Sequence, residues 1–171
     1  MATHTIYASA CVDGAGDRPF SAANNVNGSP DTLVATTSGG TFPGSAAYIN
    51  CVFNCSSVPA AKDVLTVKGY IRCRSQTGGF TGTIFLDITR TAPQLFPDTG
   101  VPIVTTDITG PAVTPASLGL TQAFFHSATS TAALYFTDQE GFGAFCLVDA
   151  GWLVLTTAGG NRKRKFYRRQ R

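Results

Sequence analysis

The sequence has almost no helical periodicity, and this absence constrains the fold more than any other feature. Apolar and polar residues instead alternate over short stretches, which clusters of glycine, proline, asparagine and serine separate. Alternation with a period of two is the pattern of a β-strand with one buried face. It predicts about eight strands, at residues 5–8, 32–37, 46–53, 64–74, 81–89, 133–136, 143–148 and 152–157. Residues 103–108 are predicted to be an edge strand or part of a connection.

The two clearest strands, 64–74 and 81–89, are separated by a Gln-Thr-Gly-Gly turn and are predicted to form a hairpin. Lys68, Arg72 and Arg74 should share one face of the first of them. Short helical turns are expected only near residues 117–123. The fold class predicted is all-β, a single jelly-roll type β-sandwich of antiparallel strands over residues 1–158, followed by a flexible basic tail over residues 159–171.

The body of the chain carries few charges. Only 13% of the residues are Asp, Glu, Lys or Arg, whereas an average globular domain has roughly 25%. Such a surface, rich in Ser, Thr, Ala and Gly, fits a protein that other subunits cover. It equally fits a small sandwich with a neutral Ser/Thr surface, so composition leaves both interpretations open.

The net charge of +3 combines a mildly acidic body with a strongly basic end. The predicted partner-binding residues all lie in that end: Arg162, Lys163, Arg164, Lys165, Phe166, Tyr167, Arg168, Arg169 and Arg171. Cations interleaved with aromatic rings suit docking on an acidic protein, where the rings anchor and the arginines steer. They also suit contact with nucleic acid, and a purely solubilising tail is the third alternative.

Five cysteines form an odd, scattered set: Cys11, Cys51, Cys55, Cys73 and Cys146. Each has strand-like apolar neighbours, as buried free thiols usually do. Because the set lacks CxxC pairs, a zinc site is not favoured. The cysteines are therefore predicted to be reduced and unpaired.

The sequence offers little for catalysis, and no cofactor is expected. His4 is expected on a mobile terminus and His126 in a structural position within a Phe-rich stretch. Asp138 and Glu140 precede a glycine and fit a solvated turn. A calcium site and ordinary turns are alternative interpretations of three loop aspartates, with the turns favoured: Asp13, Asp17 and Asp31.

Several stretches resemble galactose-binding-like jelly-roll domains of phage and virion structural proteins. Residues 22–36, AANNVNGSPDTLVAT, match an N-x-x-G-x-P-D-x-x-x-A-T opening, and residues 53–59, FNCSSVP, match a Phe … Val-Pro segment. Phe142-Gly143 and residues 148–154, VDAGWLV, are similar to the closing turn and strand. The resemblance implies a β-sandwich of the kind found in decoration, tail and fibre proteins, and sugar binding in only some members.

The function predicted is that of a non-enzymatic virion structural protein, most of all a phage head decoration, cement or fibre-type subunit. It should assemble as a homo-oligomer such as a trimer and dock on other virion proteins through its tail. Two alternatives stay open: a small jelly-roll capsid protein whose tail faces the nucleic acid, and a carbohydrate-binding module. With neither a signal-peptide pattern nor a long apolar run, it is expected in the virion after synthesis in the host cytoplasm, without membrane contact.

Overall fold

The computed structural model describes residues 1–14, 20–31, 35–37, 46–75, 80–85, 106–109, 111–138 and 146–159. Within these ranges no helix is long and apolar enough to span a membrane. Among the described residues, helical structure is limited to four short 3-10 turns, at Ala23–Val26, Cys55–Ser57, Ala116–Leu118 and Gln122–His126. The strands are β1 Ala2–Asp13, β2 Phe20–Ser21, β3 Ala35–Thr37, β4 Ala46–Phe53, β5 Val64–Ser75, β6 Phe80–Phe85, β7 Thr106–Thr109, β8 Ser130–Asp138 and β9 Cys146–Thr157.

The strands form two antiparallel sheets that share β1. In the front sheet β9 is central: β5 pairs with one edge of β9, and β7 pairs with β5. The first half of β1 and the short β3 pair with the other edge of β9, and β2 pairs with β3. In the back sheet the second half of β1 pairs with β4, β4 with β8, and β8 with β6. This arrangement is the jelly-roll type β-sandwich that the alternating pattern predicts.

The core lies between the two sheets and is formed largely by alternate residues of the long strands, such as Ala47, Ile49, Cys51 and Phe53 of β4. Its largest fully buried side chains include Phe53, Phe125 and Phe136. The β1 strand reaches both sheets because its register with β4 shifts between Ala8 and Ala10. Such a bulge bends a strand and raises its twist, which lets one chain segment turn the corner of a sandwich.

Several predicted strands are confirmed, one predicted pairing is wrong, and two predicted strands are one. The strand at 46–53 is reproduced, and 64–74 corresponds to β5. The predicted hairpin of 64–74 with 81–89 does not form, because β6 pairs with β8 in the back sheet whereas β5 lies in the front sheet. Residues 143–148 and 152–157 are not two strands: residues from both belong to the single strand β9, which is continuous across a bulge at Asp149. Within the predicted strands, residues 32–34, 86–89, 103–105 and 143–145 lie outside the described residues.

The side chain of Gln122 forms hydrogen bonds with Val64, the first residue of β5. Its amide oxygen accepts the Val64 backbone N–H at 2.8 Å, and its amide nitrogen donates to the Val64 carbonyl at 3.0 Å. The side chain thereby acts as a short strand partner at a part-buried position.

We expect Gln122→Ala to lower the free energy of unfolding by about 1–3 kcal/mol, because it leaves two backbone groups of Val64 without these partners. Gln122→Glu keeps the acceptor but not the amide donor, so its loss should be intermediate. Denaturant unfolding of the three proteins checks the order. Equal stability of Gln122→Ala and the parent would contradict it.

Candidate functional site

The outer face of the front sheet carries three aromatic side chains in one row. Tyr7 of β1 is directly opposite Trp152 of β9, and Trp152 is directly opposite Tyr70 of β5. All three point away from the core, because the neighbours of Trp152 and Tyr70 along their strands, Leu153 and Ile71, point into it. We call Tyr7, Trp152 and Tyr70 the aromatic row.

The rings of the aromatic row contact one another. The Trp152 and Tyr70 rings are stacked with centroids 5.2 Å apart, and the Tyr7 ring is tilted with its centroid 6.0 Å from that of Trp152. Trp152 is only 8% exposed, whereas Tyr7 is 36% exposed. The outer side of the row therefore offers mainly the rings of Tyr7 and Tyr70, whereas the Trp152 ring between them is nearly covered.

Stacked cross-strand rings also stabilise a sheet, by about 0.5–1.5 kcal/mol per pair beyond the area that they bury. The aromatic row therefore has a structural role whatever it binds. Partly exposed tyrosine rings such as Tyr7 and Tyr70 are nonetheless common on binding surfaces, because they offer large area at a low cost in conformational entropy.

A charged pair borders the aromatic row on one side. Arg72 lies two residues after Tyr70, on the same face of β5, and its cross-strand partner on β7 is Asp107. The Arg72 Nε donates to Asp107 Oδ1 at 2.6 Å and Nη2 donates to Oδ2 at 3.0 Å. This hydrogen-bonded carboxylate, with the charge of Asp149 added, raises the pKa of the Arg72 guanidinium. The guanidinium carbon lies 6.0 Å from the Trp152 ring centroid.

A second cation borders the other side of the aromatic row. Lys68 lies two residues before Tyr70, and its Nζ is 5.2 Å from the Tyr70 ring centroid. Across the sheet its neighbours are Val154 and the exposed Thr5. Both cations thus lie on the same face, as the alternation of 64–74 predicts; the side chain of Arg74 lies outside the described residues.

The bulge in β9 brings a loop to the edge of this face. In the register of β5 and β9, Arg72 is opposite Ala150 and Cys73 is opposite Val148, so Asp149 has no partner of its own. Its Oδ1 accepts the backbone N–H of Asp31 at 2.9 Å. This hydrogen bond fixes Asp31 at the bulge of β9.

The structure does not bring the residues predicted to bind calcium together at one site. The Asp13 carboxylate accepts the Phe20 backbone N–H at 2.9 Å, which fits the turn interpretation. Asp31 lies beside Asp149 instead, and Asp17 is outside the described residues. Within the described ranges no three His, Cys, Asp or Glu side chains are grouped so that they could hold a metal ion.

The two histidines take structural positions. His4 lies within β1 and not on a mobile terminus, and its Nε2 is 3.4 Å from the Thr157 hydroxyl. The Nδ1 of His126 is 3.3 Å from the Val58 carbonyl oxygen, as expected for a half-buried structural residue. Asp138 is the last residue of β8; Glu140 and all the predicted tail residues 162–171 lie outside the described residues.

The prediction that all five cysteines are unpaired is wrong. Cys11 and Cys51 form a disulfide between β1 and β4, where they are directly opposite each other with Cα atoms 4.3 Å apart. Cys55 and Cys73 are free and buried. Burial raises the pKa of the Cys55 thiol to about 11, although a hydrogen bond with Ser130 lowers it in part, so this thiol is protonated and unreactive at neutral pH.

The aromatic row itself was not predicted from the sequence. Each of its three members lies in a different predicted strand, and the alternating pattern assigns each side chain to one of the two faces of its own strand. Which strands are neighbours, and in what register, is not encoded in that pattern. One sequence feature could have indicated the row: Tyr70, a large aromatic residue, lies between Lys68 and Arg72 on the polar face of its predicted strand.

No family model and no curated protein matches this chain. Solved structures are similar at low identity. TmCBM61, determined in complex with β-1,4-galactotriose, has 8% identity over 88% of this chain and 86% of its own, with a TM-score of 0.41. The CBM22-1 xylan-binding domain from Paenibacillus barcinonensis has 11% identity over 91% and 95%, with a TM-score of 0.40.

The enzymatically active domain of tailspike protein 4 from bacteriophage CBA120 has 13% identity and a TM-score of 0.40; the match covers 91% of this chain but only 19% of the tailspike chain. These similarities are too distant to assign a ligand or an activity. The all-β jelly-roll architecture that the resemblance to galactose-binding-like domains implies is the one observed here.

Proposed function

We propose that the chain is a non-enzymatic glycan-binding module and that the aromatic row is its binding surface. The carrying observation is the in-register line of Tyr7, Trp152 and Tyr70 on the outer face of the front sheet. A sugar ring presents apolar C–H groups on its face and hydroxyl groups around its rim. Aromatic surface with hydrogen-bonding side chains at its border complements both parts.

The position of the charged and polar residues supports this proposal. Arg72 and Asp107 lie on one side of the aromatic row, and Lys68 with Thr5 lies on the other. The ring centroids are 6.0 and 5.2 Å apart along a line that runs across the strands. We therefore place an oligosaccharide along the row, with its hydroxyl groups directed toward the two polar borders.

A glycan array probed with the full chain tests the proposal. We expect binding to a restricted set of glycans, and we expect Tyr70→Ala to lose it. Tyr135→Ala is the matched control, because Tyr135 lies on β8 of the back sheet and points outward there, between the buried Leu134 and Phe136. No binding by the parent chain would exclude the glycan-binding function.

A second candidate is a role on a phage or virus particle, as a decoration, cement or fibre-type subunit. The observations that favour it are the low charged fraction of the body and the seven Lys and Arg residues in the last ten positions. In this proposal symmetric copies cover the neutral surface, and the basic tail docks on an acidic neighbour. Such a subunit would be compatible with a glycan site on its outer sheet.

A chain ending at Gly160 tests the particle role. It should melt close to the full chain, because the core residues all lie before the tail, but it should fail to join particles or oligomers. Equal assembly of the shortened and full chains would show that the tail only aids solubility. Salt-dependent retention of the full chain on nucleic acid, lost on truncation, would favour the capsid alternative.

A further inference from the structure

The ion pair of Arg72 and Asp107 has a bidentate geometry although both side chains are exposed. The two side chains meet through two parallel hydrogen bonds, yet they are 38% and 36% exposed. Exposed ion pairs contribute only about 0–1 kcal/mol. The pair borders the aromatic row, with the guanidinium near Trp152, so its geometry is available to a ligand bound on that row.

The pair presents a donor and an acceptor side by side. Arginine has five N–H donors, and Asp107 engages one from Nε and one from Nη2, which leaves further N–H groups for a ligand. Each carboxylate oxygen of Asp107 keeps acceptor capacity after accepting one bond. A ligand group that both accepts and donates at two adjacent positions would match this array, and two neighbouring hydroxyl groups on a sugar ring do so.

The charges around the aromatic row favour a neutral ligand. Lys68 and Arg72 contribute two positive charges, Asp107 and Asp149 contribute two negative ones, and Asp31 lies beside Asp149, so the described side chains around the row carry no excess of positive charge. An anionic substituent placed at Arg72 would also face the carboxylate of Asp107 and the charge of Asp149. Like charges at short range disfavour such a placement.

We propose that Arg72 and Asp107 recognise a vicinal diol, and that the glycan bound on the aromatic row is neutral. This inference rests on the proposed glycan-binding function and names the ligand class and the specificity residues of the same site. Arg72 donates a hydrogen bond to one hydroxyl oxygen, and the Asp107 carboxylate accepts a hydrogen bond from the next hydroxyl group. The aromatic row supplies ring contact that all pyranoses share, and the ion pair supplies discrimination.

The test combines a ligand change with a protein change. The probes are the neutral glycan bound most strongly on the array and its O-methylated form, which keeps the rings but cannot donate from its hydroxyl groups. The proteins are the parent chain, Asp107→Asn, Arg72→Lys and, as a control, Asp63→Asn, which changes an exposed aspartate just before β5, nine positions from Arg72 along the chain. Arg72→Lys keeps the positive charge but not the fork geometry.

We expect methylation to weaken binding to the parent chain and to Asp63→Asn by at least about tenfold, the loss of roughly one good hydrogen-bonded contact. In Asp107→Asn and Arg72→Lys, binding of the unmodified glycan should fall by a similar factor, and methylation should then have little further effect. If the ion pair were merely structural, O-methylation would weaken binding to these two variants by the same factor as binding to the parent chain.

Three results would count against the inference. Independent, multiplying losses from methylation and from Asp107→Asn would show that the pair does not contact the hydroxyl groups. Binding restricted to acidic glycans would exclude a neutral ligand, and in both cases glycan binding itself would stand. Absence of binding to every array glycan would instead remove the proposed function, and this inference with it.

Discussion

Replacing Cys11 and Cys51, which lie in the buried core, with alanine should lower the free energy of unfolding by about 4 kcal/mol. The disulfide joins residues 40 positions apart, and a closed loop of that length restricts the unfolded chain by about this amount in the chain-entropy description. Denaturant unfolding of the parent and the double variant measures the difference.

The free thiols provide the control for this prediction. Cys73→Ala removes a buried sulfur that is not bonded to another, so its cost should be that of a small cavity and should not change with reductant. Alkylation of the unfolded, unreduced chain should modify no more than three cysteines, with Cys55 and Cys73 among them. Modification of all five, with equal stability in the presence and absence of reductant, would contradict the disulfide.

The double variant Tyr7→Ala/Tyr70→Ala should lose at least about 100-fold in affinity for the glycan identified on the array. Aromatic residues at the centre of a binding surface commonly contribute about 2 kcal/mol or more each, and each 1.4 kcal/mol is tenfold in affinity. The cost in stability should stay below about 3 kcal/mol, because the lost contacts are cross-strand ring pairs on an outer face. Calorimetric titration and thermal unfolding measure the two effects separately.

Tyr135→Ala again serves as the matched control and should bind as tightly as the parent chain. If the double variant retained its affinity, the ligand would bind elsewhere on the chain. If both proteins lost affinity together with much of their stability, the effect would reflect the fold and not the aromatic row.

The sequence predicts the positions of the strands better than it predicts which strands pair with each other. Alternation over residues 46–53 and 64–74 identifies β4 and β5, because period-two burial is a local property of each strand. The pairing of β6 with β8, in place of a hairpin with β5, depends on how two sheets close around one core. No local pattern carries that information.

The same limit explains the missed disulfide and the missed site. Cys11 and Cys51 meet only because β1 and β4 pair in one particular register, and an odd number of cysteines gives no hint of it. Tyr7 and Trp152 are far apart in the chain and meet through the pairing of β1 with β9. In contrast, the shared face of Lys68 and Arg72 was predicted, because both lie in one strand at even spacing.

Fluorescence of Trp152 during titration with the array glycan tests the central claim most directly. Trp152 is the only tryptophan of the chain and lies at the centre of the aromatic row, between Tyr7 and Tyr70. A glycan bound on the row should change the intensity or wavelength of its emission in a saturable way, with the same affinity that calorimetry gives. Saturable binding by calorimetry with no change in Trp152 emission would contradict the assignment of the aromatic row as the glycan site.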